Sequence, residues 1–126
     1  MATRFETTVL WLAALFFLLP GIWAFAAPHS FYDHLAPFSP YNRHLVHDIG
    51  AFQIGIGAAL LLALRWTDAR FVVLGGAAAG ASVHLVSHVV DHDLGGKDSD
   101  VFVFGAVAVI LVITTALRWR AIPGSR

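Results

Sequence analysis

Cysteine is absent from the 126-residue chain. Disulfides, thiolate metal ligands and cysteine nucleophiles are therefore excluded. Charge is scarce as well: Asp, Glu, Lys and Arg make up 13% of the residues, against about 25% in a soluble domain. So few charges do not build a water-facing surface, whereas lipid can cover apolar helices. The formal net charge is zero and no basic cluster occurs, so a nucleic-acid footprint is missing. The zinc-protease pattern HExxH is missing too, and the HxxxH and HxxHH boxes of membrane fatty-acid hydroxylases are incomplete. With no internal repeat, low-complexity tract or domain boundary, residues 1–126 read as one domain.

What the chain has is apolar length. Hydrophobic residues make up 58% of it, gathered into runs near the roughly 20 residues that a transmembrane helix needs. Four spans are expected, at about 8–27, 42–64, 69–91 and 101–117. The fold class they imply is all-α, a four-transmembrane-helix antiparallel bundle. Charge sorting orients it. Arg4 precedes the first run, Arg65 and Arg70 flank the short middle connection, and Arg118, Arg120 and Arg126 lie in the tail. The other two connections hold only Arg43 and Lys97 as bases, the latter outnumbered by Asp91, Asp93, Asp98 and Asp100. The positive-inside rule then puts both termini and the middle connection in the cytoplasm, N-in and C-in. A bacterial cytoplasmic membrane is the expected location, with the lipid bilayer as partner. A signal peptide is the competing reading of the N-terminus. The apolar stretch continues through Trp23 and Phe25, too long for an ordinary signal core, so it is read as a retained first helix.

Local signals refine this plan. A kink is expected at Pro20-Gly21 inside the first span. Asn42 is the expected N-cap of the second span. The segment PHSFYDHLAPFSPYN, residues 28–42, reads as an ordered cap on the outer mouth, with aromatic rings suited to the headgroup zone. On the second span Ala51, Gly55 and Ala59 form a small-residue seam, and Gly50 and Gly57 a second strip; the third carries a Gly76–Gly80 step. The Arg65–Arg70 connection is short, so the second and third helices are expected side by side.

All seven histidines fall on the outer half: His29, His34, His44, His47, His84, His88 and His92. A histidine inside a span is tolerated where it lines a cavity or pairs with another group, so each raises a functional question. His44 and Asp48 share a face at four-residue spacing, as do His84 and His88. If the two helices run antiparallel, His44 comes level with His88. Asp48, about 6 Å deeper by the helical rise, then comes level with His84. Three imidazoles and a carboxylate in one layer suit a divalent transition metal, Zn, Fe, Mn or Cu. His47, Asp91 and His92 are auxiliary candidates, and Gln53 a supporting donor. Haem is a further candidate, since two imidazoles on facing helices can ligate one iron. Two readings without metal stand beside these: a polar pocket or proton path, and a hydrogen-bonded plug that only holds helices in register.

The segment PYNRHLVHDIGA, followed by HLVSHVVDHD, resembles an uncharacterised family of small four-span membrane proteins common in actinobacteria. The resemblance covers most of the chain from about Pro20 to Asp93 and is most specific at Asn42, His44, Asp48, Gly50, His84 and His88. It implies the four-span fold and draws attention to those positions, and it implies no reaction. Where His47 stands, that family more often has an arginine-like residue. The function expected is a small integral membrane protein binding a divalent metal through the His/Asp cluster. The alternatives are a structural or accessory subunit whose cluster only pairs helices, and a metal-dependent membrane enzyme or haem-binding redox protein. A homo-oligomer or a membrane partner protein fits a bundle this small, and no catalytic residue is assigned.

Overall fold

A computed structural model describes residues 3–122; Arg126, counted above among the tail's bases, lies outside the described residues. The helices are α1 (Arg4–Ala26), α2 (Pro28–His34), α3 (Arg43–Arg65), α4 (Arg70–Val90) and α5 (Asp100–Arg120). Short 3₁₀ turns at Thr67–Ala69 and His92–Leu94 precede α4 and follow it. The fold is all-α, and α1, α3, α4 and α5 are long and apolar enough to cross a membrane. Their outward faces are apolar: Phe52, Val72 and Phe102, for example, are 76%, 72% and 79% exposed. Such faces suit a multi-pass protein embedded in lipid.

The helix starts follow local chemistry. α1 begins a turn before its apolar run because the Thr3 hydroxyl accepts from the Glu6 amide at 3.1 Å. The helix then continues through Pro20 without a break. Asn42 caps α3 as expected, its side-chain oxygen accepting from the Leu45 amide at 3.2 Å. Pro28 opens α2, a position where its missing N–H is no loss. The expected cap at residues 28–42 is thus one short helix followed by an irregular segment.

The helices pair in a way that the short middle connection does not suggest. α1 lies along α3 and α4 along α5. Glycine decides the first pair. A Cβ on Gly50 would stand 2.8 Å from the Gly21 carbonyl oxygen and 2.9 Å from the Phe25 nitrogen. One on Gly57 would strike the Leu18 side chain and stand 3.1 Å from the Ala14 carbonyl oxygen. The Gly50/Gly57 strip therefore admits the α1 backbone and not α4. Gly55 of the other expected seam and the Gly76–Gly80 step make no close approach within the protomer: among the described residues a Cβ on any of the three would meet nothing within 4 Å.

Two cores result. The larger draws on four helices, with Leu10, Leu60, Leu74 and Leu111 fully buried at its centre. The smaller joins Ala24, Phe31 and Val46, with Ala36 and Tyr41 against them, and takes nothing from α4 or α5. In a bilayer such packing holds helices by close contact, because lipid tails are as apolar as leucine. Gly50→Ala is expected to lower the thermal midpoint in detergent by several degrees, because its methyl meets backbone and not a movable side chain. Gly76→Ala and Gly80→Ala are expected to be neutral or stabilising, by up to about 1 kcal/mol from helix propensity. Circular dichroism melts of the three variants beside the parent check this.

Candidate functional site

Polar groups gather at two ends of the bundle, one rich in histidine and one in arginine. At the histidine end the two long connections meet. Lys97 Nζ donates to the His34 carbonyl at 2.8 Å, joining the turn before α5 to the end of α2. Gly95 and Gly96 have φ of 139° and 87°, the left-handed side that side chains disfavour. A Cβ on either would stand 3.1–3.2 Å from Pro37 or Phe38 atoms. Phe38 in turn lies 6.2 Å, ring to ring, from His88. Around α2, Tyr32 Oη and Ser39 Oγ share a hydrogen bond at 3.0 Å, and Trp23 Nε1 donates to Ser30 Oγ at 3.3 Å.

The predicted metal ligands do not converge. Among the described residues no group of three or more His, Cys, Asp or Glu side chains is placed to hold a metal ion. The reason is the pairing of helices. Because α3 turns its glycine strip to α1, His44 and Asp48 come to lie on an exposed face. There His44 Nε2 stands 3.5 Å from Asp48 Oδ2, a pair within one helix. His47 faces α1, its ring 5.0 Å from that of Phe25. His84 and His88 pack against α5 instead: their rings lie 4.4 and 4.5 Å from Phe104, and 4.7 Å from each other. His88 Nδ1 is 3.8 Å from Asp100 Oδ2, the side chains 13% and 18% exposed. Asp91 follows α4 as its C-cap residue, exposed. His92 pairs with Asp93 and Asp98 at 3.4 and 3.7 Å, in the exposed connection to α5.

The expected zinc, copper, iron or manganese centre is thereby corrected to a set of separate His–Asp pairs, and with it the metal-binding function and the histidine cluster. Haem falls with the same finding, since the imidazoles of α3 and α4 engage different partners. His29 also has its own carboxylate, Asp33, at 2.9 Å. Gln53, proposed as a supporting donor, has its side-chain oxygen buried without a hydrogen-bond partner among the described residues.

The arginine end holds what the sequence reading passed over. Glu6, on the first turn of α1, is buried between two arginines. Arg70 Nη1 stands 3.5 Å from Glu6 Oε1, and Arg118 Nε 3.9 Å from the same oxygen. Arg70 also donates through Nε to the Ala63 carbonyl at 2.9 Å and through Nη2 to the Leu64 carbonyl at 3.1 Å. Those carbonyls lie in the last turn of α3, where helix geometry leaves acceptors without partners. Arg118 Nη2 donates to the Thr67 carbonyl at 2.9 Å. One carboxylate and two guanidinium groups thus bind the start of α1, the end of α3, the turn after it, the start of α4 and the end of α5. One signal was available: Glu6 is the sole glutamate in the chain, set among the arginines that sort to this side.

Fold and polar pairs together define a helical protein with four membrane-length spans, fastened by polar side-chain pairs at both ends. No protein-family model, no curated protein and no solved structure matches the chain.

Glu6→Ala would leave Arg70 buried without its carboxylate, and removing one partner of a buried pair costs about 3–5 kcal/mol. Glu6→Ala is therefore expected to lower the thermal midpoint far more than His29→Ala, whose side chain is exposed. Denaturation in detergent, followed by tryptophan fluorescence, compares the two.

Proposed function

We propose that the chain is a structural or accessory membrane subunit whose His–Asp groups pair elements of the bundle. The carrying observation is the α4–α5 contact. His88 and Asp100, both largely buried, face each other from two helices, and Phe104 packs against both imidazoles of α4. An aromatic wall on the imidazoles and a carboxylate at one of them suit helix pairing. A structural role predicts that stability follows the pair and not a metal. His88→Ala and Asp100→Ala should each lower the thermal midpoint, with less than additive loss in the double variant. Dialysis against EDTA should leave the parent's midpoint unchanged. Additive losses, or a midpoint that falls with EDTA, would overturn the reading.

The bundle is proposed to run antiparallel, N-in and C-in, in a bacterial cytoplasmic membrane. Two observations support the alternation: the starts of α1 and α4 share the arginine end with the ends of α3 and α5, and arginines concentrate there as the positive-inside rule asks. The resemblance of PYNRHLVHDIGA and HLVSHVVDHD to small four-span actinobacterial membrane proteins belongs to the same proposal. The chain has no cysteine to interfere with labelling. Ser39→Cys in intact cells is expected to react with a membrane-impermeant maleimide. Thr67→Cys is expected to react only after lysis, and the opposite pattern reverses the orientation.

A further inference from the structure

α3 has two small-residue faces, and the protomer uses one. Val46, Gly50 and Gly57 are buried, the glycines against α1. On another face His44, Asp48, Ala51, Gly55, Ala58 and Leu62 are all exposed. Steps of four and three residues alternate along them, the 3.5-residue period by which two helices follow each other in a left-handed pair. Glycine weakens a helix interior relative to alanine, and nothing within 4 Å in the protomer demands it at Gly55. A close approach from outside the protomer would.

A second, independent feature lies on the same seam. The His44 and Asp48 side chains are 87% and 50% exposed. Asp48 is five residues into α3, about 7.5 Å along the axis from its first residue. A half-exposed carboxylate at that depth on a span calls for polar company. Among the described residues it pairs with His44, on the same helix. Acyl chains offer it nothing. A second copy of the same seam offers an imidazole.

We propose that this face of α3 is the contact surface for a second copy of the chain, related by a two-fold axis along the membrane normal. The seam is self-complementary, as a two-fold interface requires. Small residues meet small residues at Ala51, Gly55 and Ala58, so the backbones approach closely. At the histidine end each Asp48 carboxylate gains an imidazole from the other copy. The exposed face of α4 around Val72, Gly76 and Val83 carries no such polar group and faces lipid.

Single cysteines test this without background, since the chain has none. Ala51→Cys, Gly55→Cys and Ala58→Cys are expected to form disulfide-linked dimers in native membranes oxidised with copper phenanthroline. Phe52→Cys, 76% exposed in the parent but off the seam, and Val83→Cys on α4 are expected to stay monomeric. Adding Gly55→Leu to Ala51→Cys should lower the dimer yield about tenfold by blocking the close approach. Its thermal midpoint as a detergent-diluted monomer should not fall. Adding Asp48→Ala should lower the yield as well. Equal yields at positions 51 and 52 would mean random collision in lipid, and a higher yield at position 83 would place the contact on α4; either overturns the proposal. So does a dimer that survives Gly55→Leu intact.

Discussion

The arrangement depends on keeping one carboxylate and two guanidinium groups together at the arginine end. A buried charge without a partner is far more costly than any single packing contact in this bundle. Glu6, Arg70 and Arg118 are each buried or nearly so, and each comes from a different helix. The ion pairs are loose, at 3.5 and 3.9 Å, so attraction between charges holds them rather than shared hydrogens. Hydrogen bonding is spent elsewhere: both arginines donate to carbonyls around the α3–α4 turn. Arg70 thus acts as a cap for α3 and a counter-charge for α1 at once. That dual role fixes where the turn sits, and with it which helix ends lie together.

With those ends tied, close packing chooses the neighbours. α3 can approach a helix closely only where it lacks side chains, and its buried glycines present that surface to α1. α4 is then left to α5, where a Cβ on Gly75 or Gly105 would stand at ordinary contact distance from Thr115 or Leu85. Towards the histidine end α3 and α4 no longer share a core, because the smaller core takes nothing from α4. Other contacts close that end: Lys97 on the His34 carbonyl, and Phe38 against the two positive-φ glycines and near His88. The histidines take the partners this leaves them. Those of α4 pack against Phe104, His47 packs against Phe25, and His44 stays outside.

Much of this was legible in the sequence and part was not. The spans were legible because their length and apolar content are set by the thickness of a bilayer. The Asn42 cap was legible because a side-chain oxygen at that position satisfies a free amide in any helix. Helix partners were not. Periodicity tells which residues share a face, and α3 has small residues on two faces, Gly50/Gly57 and Ala51/Gly55. Only packing in three dimensions chooses between them. Matching depths across the short connection then placed Asp48 level with His84, although α3 and α4 do not pack along their length. Glu6 went unread because a lone glutamate next to Arg4 looks like a helix start at a water interface. Arg70 reads from sequence only as a cytoplasmic flanking charge, because an arginine beside a short connection ordinarily stays in water. Their burial is a property of the assembled ends.

The separation of the two polar ends bears on what the bundle can do. Between them the helices carry no ionisable side chain from Thr7 to Ala26 on α1, from Ile49 to Leu64 on α3, from Phe71 to Val83 on α4, or from Val101 to Leu117 on α5. The intervening interior is built from Leu10, Leu60, Leu74 and Leu111 with alanines between them. Moving a proton or an ion across a membrane requires groups that accept it at successive depths. In this layer the polar side chains of α4 and α5 turn back on their own helices: the Ser82, Thr114 and Thr115 hydroxyls each donate to a carbonyl one turn earlier. A hydroxyl used in that way spends its one donor on its own helix. The histidine end and the arginine end are joined through packed helices, and the polar pairs at each end fasten the elements that meet there.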